Sequence, residues 1–533
     1  MERRTMSTLM AAVLTLGILS GCTSGKDQTS DSTGSSSSSS SSSSSKSGDP
    51  VTLKVGIFDR GNSPAGVTVS NNYWTNWVQK NFGDPNNIKV EYVPIPRTDA
   101  TGKLNAMMSS GDAPDIAFAS TDNLLPYNYA KQGGLMDITQ LVEQYGPNLK
   151  KYLGETLNYG KVEGVQYSIP GRRVNLGKYD WLIRQDWLEK LNMPMPKTTD
   201  EVYQTLKAFK EKDPGQTGGK TIPLGFSLTA ASIEPLVWSF LNKTTEEERY
   251  TQSQKIGYPV LLPGHKDAVR FLNKLYNEGL MSPDFALDKD RKKLLQDVMT
   301  GKVGMYSEDL GQSFQDNPGV MKVLTQNIAG ANLAPVDPLT NEEGKHLKPQ
   351  YVSTGFYLMI PASSKRGVEA IKYLDWMAQD DVMFTLMHGE EGKDYQMVDG
   401  LPQRIDSAET TNKMYNSNDI VMITQGEDFG SKEKNLQSVA AAVPVQFREN
   451  LKKAYEMSMT DTIDYANFEK PIEAEVKYAP TLQDKYYEII VKSVMSKEED
   501  FDKTYDDMIK DYMESGGDAI MKERIEAYKA MKK

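Results

Sequence analysis

One cysteine, Cys22, and three histidines are all that 533 residues offer of the usual thiol and imidazole groups. A single thiol excludes an internal disulfide framework. His265, His346 and His388 stand far apart, so they and that cysteine do not make a closed structural zinc site. A basic excess is missing too: 61 Lys+Arg against 72 Asp+Glu give a formal net charge of −11. That balance argues against nucleic acid as a partner, because phosphate binding needs a basic face. The chain after residue 50 has no apolar run near the roughly 18 residues that mark a membrane-spanning helix. It also has no nucleophile elbow, P-loop or metalloprotease motif. With 72 acidic residues, carboxylate pairs arise by chance, so a glycosidase pair is not legible in the sequence. What is present is an ordinary globular composition, 38% hydrophobic and 25% charged, over a length that suits two or three domains.

The first fifty residues differ from the rest. Arg3 and Arg4 precede a mostly apolar run over residues 6–19, the layout of a secretory signal. Leu19, Ser20, Gly21 and Cys22 follow, and look like a bacterial lipobox, in which cleavage falls before the cysteine and its sulfur takes up an acyl lipid of the palmitate kind. Residues 1–21 are therefore expected to be a signal peptide and Cys22 the lipidated residue. A thiol committed to a lipid also leaves none for catalysis. Residues 22–50, with serine unbroken from 35 to 45, have nothing to bury. They are expected to form a tether with an end-to-end distance of ~30 Å.

The body reads as α/β. Residues 52–58 and 88–93 have strand composition, and residues 115–119 form a short apolar strand. Between them lie helical stretches, one with Trp74, Trp77 and Val78 on one face and one carrying Leu104 and Met107 and stopping at Gly111. Strand, helix, strand, helix, strand is the signature of a parallel sheet. Ligands bind such sheets outside the carboxyl ends of the strands, here at Arg60 and at Thr121 and Asp122. After Asp186 the chain is largely helical. Asp186 with Glu189 and Thr198 with Glu201 predict helix starts, as does Ser496 with Glu499. Ala268, Val269, Leu272, Leu275 and Tyr276 predict a helix ending at Gly279.

Several segments, in order, resemble the extracellular solute-binding proteins of ABC importers, in the sugar-binding branch that includes maltose-binding protein. They are Ser110 to Ile116 (Ser-Gly-Asp-Ala-Pro-Asp-Ile), Ile183 to Leu191, and Pro196 to Glu201. Gly301, Lys302 and Met305 continue the series, followed by Gly389, Glu391, Gly392 and Tyr395. The resemblance implies two α/β lobes of the periplasmic-binding-protein kind, joined by hinge strands around a central ligand cleft. The first lobe is expected to hold residues 51–170 and 358–400, and the second, helix-rich lobe 176–352 and 405–533. Chain crossings are expected near 169–183, 351–360 and 396–405, with hinge closure on ligand. Longer members of the family carry a calcium loop after the helix that begins near Glu201. Here residues 213–223 keep a turn but offer only Asp213 as a carboxylate, too little for an ion that wants six to eight oxygens. No metal and no cofactor is expected.

A sugar site needs aromatic faces and planar polar groups. Placed by that chemistry and by the expected crossings, the candidate ligand residues are Arg60, Thr121, Asp122, Trp181, Arg184, Trp238, Tyr306 and Phe356. Each aromatic one is equally suited to a core. Arg172 and Arg173 suit either an acidic sugar or a solvated loop. The expected function is capture of an oligosaccharide by a lipid-anchored monomer on the outer face of a bacterial cell membrane, for delivery to ABC permease subunits. A surface-tethered glycoside-cleaving enzyme and a receptor for a sensor kinase are the alternatives.

Overall fold

The computed structural model describes residues 49–532 apart from 120–123, 242–243, 254–257, 316–318, 442, 464–467 and 469–470. Cys22, the expected signal peptide and nearly all of the tether, and Thr121 and Asp122, lie outside the described residues. Ten strands build the two main sheets and the ladder beside them: β1 (Val51–Asp59), β2 (Ile88–Pro96), β3 (Ala117–Ala119), β4 (Ser168–Arg173), β5 (Tyr179–Arg184), β6 (Ile222–Leu224), β7 (Val303–Asp309), β8 (Leu333–Val336), β9 (Thr354–Met359) and β10 (Thr424–Gln425). Among the described residues, no helix is long and apolar enough to cross a membrane.

The first lobe starts as the alternation predicts. β1 pairs with β2 in parallel over nine residues, from Val51 opposite Ile88 to Asp59 opposite Pro96. The crossover begins with helix Tyr73–Val78, whose start is fixed by a reciprocal cap. The Asn72 carboxamide oxygen accepts from Trp74 N at 2.9 Å, and the Thr75 hydroxyl accepts from Asn72 N at 2.9 Å. Helix Ala100–Ser110 ends on Gly111, whose φ of +79° is the left-handed C-cap that glycine supplies without strain. Val55 then bridges Ile116 in parallel, and β3 pairs antiparallel with β9, in the order β10-β4-β9-β3. One core unites Leu53, Val55 and Ile57 with Ile169, Leu358 and the helix Gly367–Met377.

The second lobe is a four-stranded sheet in the order β8-β5-β7-β6, antiparallel except for the β6–β7 pair. Helices Thr199–Lys212, Ala230–Ser239, His265–Asn277 and Glu473–Met495 pack their apolar residues onto it. All six residues of β5 are buried, so this sheet is covered on both faces. Thr198 caps its helix through Glu201 N at 3.2 Å, while the Glu201 carboxylate accepts from Lys197 N at 2.6 Å. Two expected caps differ. Asp186 sits in the first turn of helix Gln185–Lys190, its carboxylate taken by Arg184, and the helix expected from Ser496 starts at Phe501 after a single turn over Glu498–Asp500.

Three connecting segments run side by side between the lobes. Arg172 and Arg173 pair with Thr424 and Gln425, Arg173 N donates to Ser353 O at 2.8 Å, and Tyr351 N donates to Leu176 O at 2.8 Å. Tyr395–Val398 and Leu401–Arg404 form a hairpin, and Ile420, Val421, Met422 and Ile423 pack in the same core as Leu53 and Leu358.

Candidate functional site

A cleft of about 1050 Å³ lies where strand ends of both sheets meet the connecting segments. On the first-lobe wall, Phe58 at the end of β1, Phe118 on β3 and Phe356 on β9 form an edge-on cluster, with ring centres 4.4 Å and 5.4 Å from Phe58. Phe58 and Phe118 are buried and Phe356 is half-buried. Arg60 follows β1 and is held rigidly: its Nε and Nη2 donate to both carboxylate oxygens of Asp419 at 2.7 and 2.6 Å. That two-point bond raises the guanidinium pKa against the opposing effect of burial. Arg97 follows β2, with its guanidinium carbon 5.0 Å from the Phe58 ring centre.

At the crossing, the Arg173 guanidinium lies 3.9 Å from the centre of the Tyr351 ring. Lys178 Nζ donates to Glu234 Oε2 at 2.5 Å. From the second lobe, Asp309 at the end of β7 reaches the cleft while accepting from Arg291 at 2.9 Å. The remaining cleft carboxylates with a partner are Asp394, bonded to Lys413 at 2.6 Å, and Glu427, 2.7 Å from His388 Nε2. Gln312, Gln315, Gln425 and Asn418 add planar amides to the lining. Half-buried rings at Phe356 and Tyr351, beside fixed charges and amides, are the equipment for a flat ligand with hydroxyls on its edge.

Of the expected ligand residues, the cleft brings together Arg60 and Phe356. Four others are placed elsewhere for packing reasons. Trp181 is buried on β5 within the second-lobe core, because both faces of that sheet are covered. Arg184, 1% exposed, donates to both oxygens of Asp186 at 2.7 Å and lies over the Trp187 ring at 4.7 Å. Trp238 packs with Leu241 and Leu262, and Tyr306 is fully buried with its hydroxyl 2.7 Å from Ser313 Oγ. The residues missed are Phe58, Arg97 and Tyr351. Arg97 had a usable signal, since it follows the carboxyl end of β2 as Arg60 follows that of β1. Tyr351 and Arg173 meet only through the pairing of distant segments.

The loop at 213–223 does not fit a calcium ion. The Asp213 carboxylate accepts from the Thr217 and Thr221 hydroxyls at 2.8 and 2.5 Å and from Thr217 N at 3.0 Å, Gly218 N at 3.1 Å and Gly219 N at 3.4 Å. Burial pushes this carboxyl up, but those hydrogen bonds outweigh it and hold it well below its usual range. A Cβ on Gly215 would fall 2.4 Å from the Trp187 ring, so the turn is also filled from below. Among the described residues no group of three or more His, Cys, Asp or Glu is arranged to hold a metal ion.

Residues 65–384 match the family of bacterial extracellular solute-binding proteins. Lipoprotein LipO of Bacillus subtilis (strain 168) is 27% identical over 326 residues, 59% of this chain and 62% of LipO. The fructooligosaccharide ABC transporter substrate-binding protein FusA of Streptococcus pneumoniae serotype 4 is 30% identical over 231 residues, 39% of this chain and 42% of FusA. The chain thus matches less than two thirds of the length of either relative. Among solved structures, alginate-binding protein AlgQ2 without calcium ion has a TM-score of 0.68 at 20% identity, covering 90% of this chain and 98% of that one. FusA in complex with kestose gives 0.66 at 18%, covering 90% and 99%. At these identities the structural likeness is one of fold.

Proposed function

Because the chain belongs to the bacterial extracellular solute-binding proteins, a family of binding proteins and not enzymes, we propose that it captures an oligosaccharide in this cleft and delivers it to the permease of an ABC transporter. The observation that carries the proposal is the cleft itself. It is large enough for several sugar rings, has one aromatic wall, and is built from strand ends of both lobes. The pairing with transporters draws support from FusA, named as a fructooligosaccharide ABC transporter substrate-binding protein. Arg60 and Phe356 are proposed ligand contacts, joined by Arg97, Arg173 and Tyr351. The lobes that close on the ligand are proposed as 51–170 with 358–425, and 176–352 with 426–532, each moving about the three adjacent segments at 172–176, 351–353 and 424–426.

We place the protein outside the cytoplasmic membrane, held there by lipid on Cys22, with the serine-rich stretch as its leash. Support comes from the lipobox-like sequence and from the lipoprotein name of LipO. Two experiments test the proposal. A melting screen of the purified body against neutral and acidic oligosaccharides should find a stabilising ligand, with ~2.7 kcal/mol of added stability at one hundred times its Kd. A panel that leaves the melting temperature unchanged throughout contradicts sugar capture. Cys22→Ala should shift the protein out of the membrane fraction or leave an uncleaved precursor, and unchanged retention with normal cleavage contradicts the anchor.

A further inference from the structure

The cleft's charges are unequally matched. Arg60 is bound by Asp419, Lys178 by Glu234, and Arg404 donates to Thr411 at 2.6 Å. The side chains of Arg97 and Arg173 have no hydrogen bond or ion pair among the described residues, and the Arg173 Nε is buried without a partner. The carboxylates that approach them are committed elsewhere: Asp419 to Arg60, and Asp309 to Arg291. Asp99 remains, exposed on the same turn as Arg97.

Both cations line the same cleft, Arg97 over Phe58 and Arg173 over Tyr351. The charges of both Arg97 and Arg173 favour the ionised form of the Tyr351 hydroxyl, which burial drives up. Although Arg97 is exposed, the cleft walls around it take some water from its guanidinium, which lowers its proton affinity, and neighbouring Arg60 lowers it further; Arg173 is lowered by burial. A guanidinium over a ring turns its in-plane N–H groups outward, and a carboxylate is the planar acceptor that meets two of them at once. A neutral ligand that expelled water would leave both cations uncompensated in a less polar medium. The half-buried Phe356 ring, 5.4 Å from the Phe58 ring that Arg97 overlies, offers the C–H face of a sugar its stacking surface.

Resting on the sugar-binding reading above, we propose that the cleft selects an acidic oligosaccharide, one whose rings carry uronate carboxylates, with Arg97 and Arg173 binding carboxylate and Phe356 stacking a ring. The experiment is calorimetric titration of the lipid-free body with oligogalacturonates and oligomannuronates of three to six residues. Each is paired with its methyl ester, which keeps ring, linkage and length but removes the charge. Neutral fructo- and malto-oligosaccharides complete the set. An acid form should bind at least about tenfold more tightly than its ester, and more weakly as salt rises. Arg97→Gln and Arg173→Gln should each weaken the acid form about tenfold or more, with Arg173→Lys recovering part of the loss. Arg97 is exposed, so its variant keeps the fold even where Arg173→Gln does not. Equal binding of acid and ester overturns the inference, as does an acid form indifferent to Arg97→Gln. Binding of neutral sugars alone overturns it while leaving sugar capture intact, and binding of none overturns both.

Discussion

Trp238 and Arg97 show what a single residue does and does not disclose. Large aromatic side chains stack on sugars and fill cores for the same physical reason, a wide apolar face, and sequence alone does not separate the two uses. Trp238 is 1% exposed among Leu241 and Leu262. Trp238→Ala should therefore cost about 3–5 kcal/mol of stability and leave the ligand affinity of the folded fraction unchanged. Melting without ligand and titration with it read the two effects separately. Arg184 carries a local sign of its structural role, since Asp186 two residues away matches its fork in reach and charge. Asp213 carries a second residue-level prediction. Its hydroxyl and amide donors take the place of a cation, so chelator should leave the melting temperature unchanged. Asp213→Ala should lower stability by about 1–2 kcal/mol. Because the folded carboxyl is held below its unfolded value near 4, that contribution is present at neutral pH and fades as the pH falls below about 4. A melting temperature that drops in chelator and returns with calcium contradicts this account of the loop.

At the scale of elements, the first sheet was legible because its signals are local. The composition of β1 and β2, the helical spacing of Trp74, Trp77 and Val78 and the stop at Gly111 need no tertiary information, and each stands where the pattern puts it. The pairing of residues 424–425 with β4 was not legible: the segment is short and polar, and packing of Ile420 and Ile423 into the first core, not a local pattern, brings it there. The pairing depends on a close approach: a Cβ on Gly171 of β4 would stand 2.7 Å from the Met422 carbonyl oxygen. Gly171→Val should push β10 away from β4, cost about 1–3 kcal/mol and weaken ligand binding as well, because Arg173 is two residues along the same strand. Full affinity in a stably folded Gly171→Val variant would show that the ladder between β4 and β10 does not position the cleft.

For the whole molecule, the two lobes were foreseen from the order of motifs, while of the expected ligand residues Arg60 and Phe356 line the cleft and Phe58, Arg97 and Tyr351 went unforeseen. Phe58, Arg97, Arg173, Tyr351 and Phe356 span nearly 300 positions and meet only because three chain segments run side by side between two sheets. A ligand held from both sides favours the closed arrangement by its differential affinity for it. Small-angle scattering should accordingly show a smaller radius of gyration in the complex than in the free protein. An unchanged radius with a tightly bound ligand contradicts closure.

The most direct measurement is a crystal structure of the protein with whichever oligosaccharide raises its melting temperature. The account predicts sugar density in the cleft, with a ring against Phe356 and a polar edge toward Arg97, Arg173 and Tyr351. Density for that sugar at any other surface, with the cleft holding solvent alone, would contradict it.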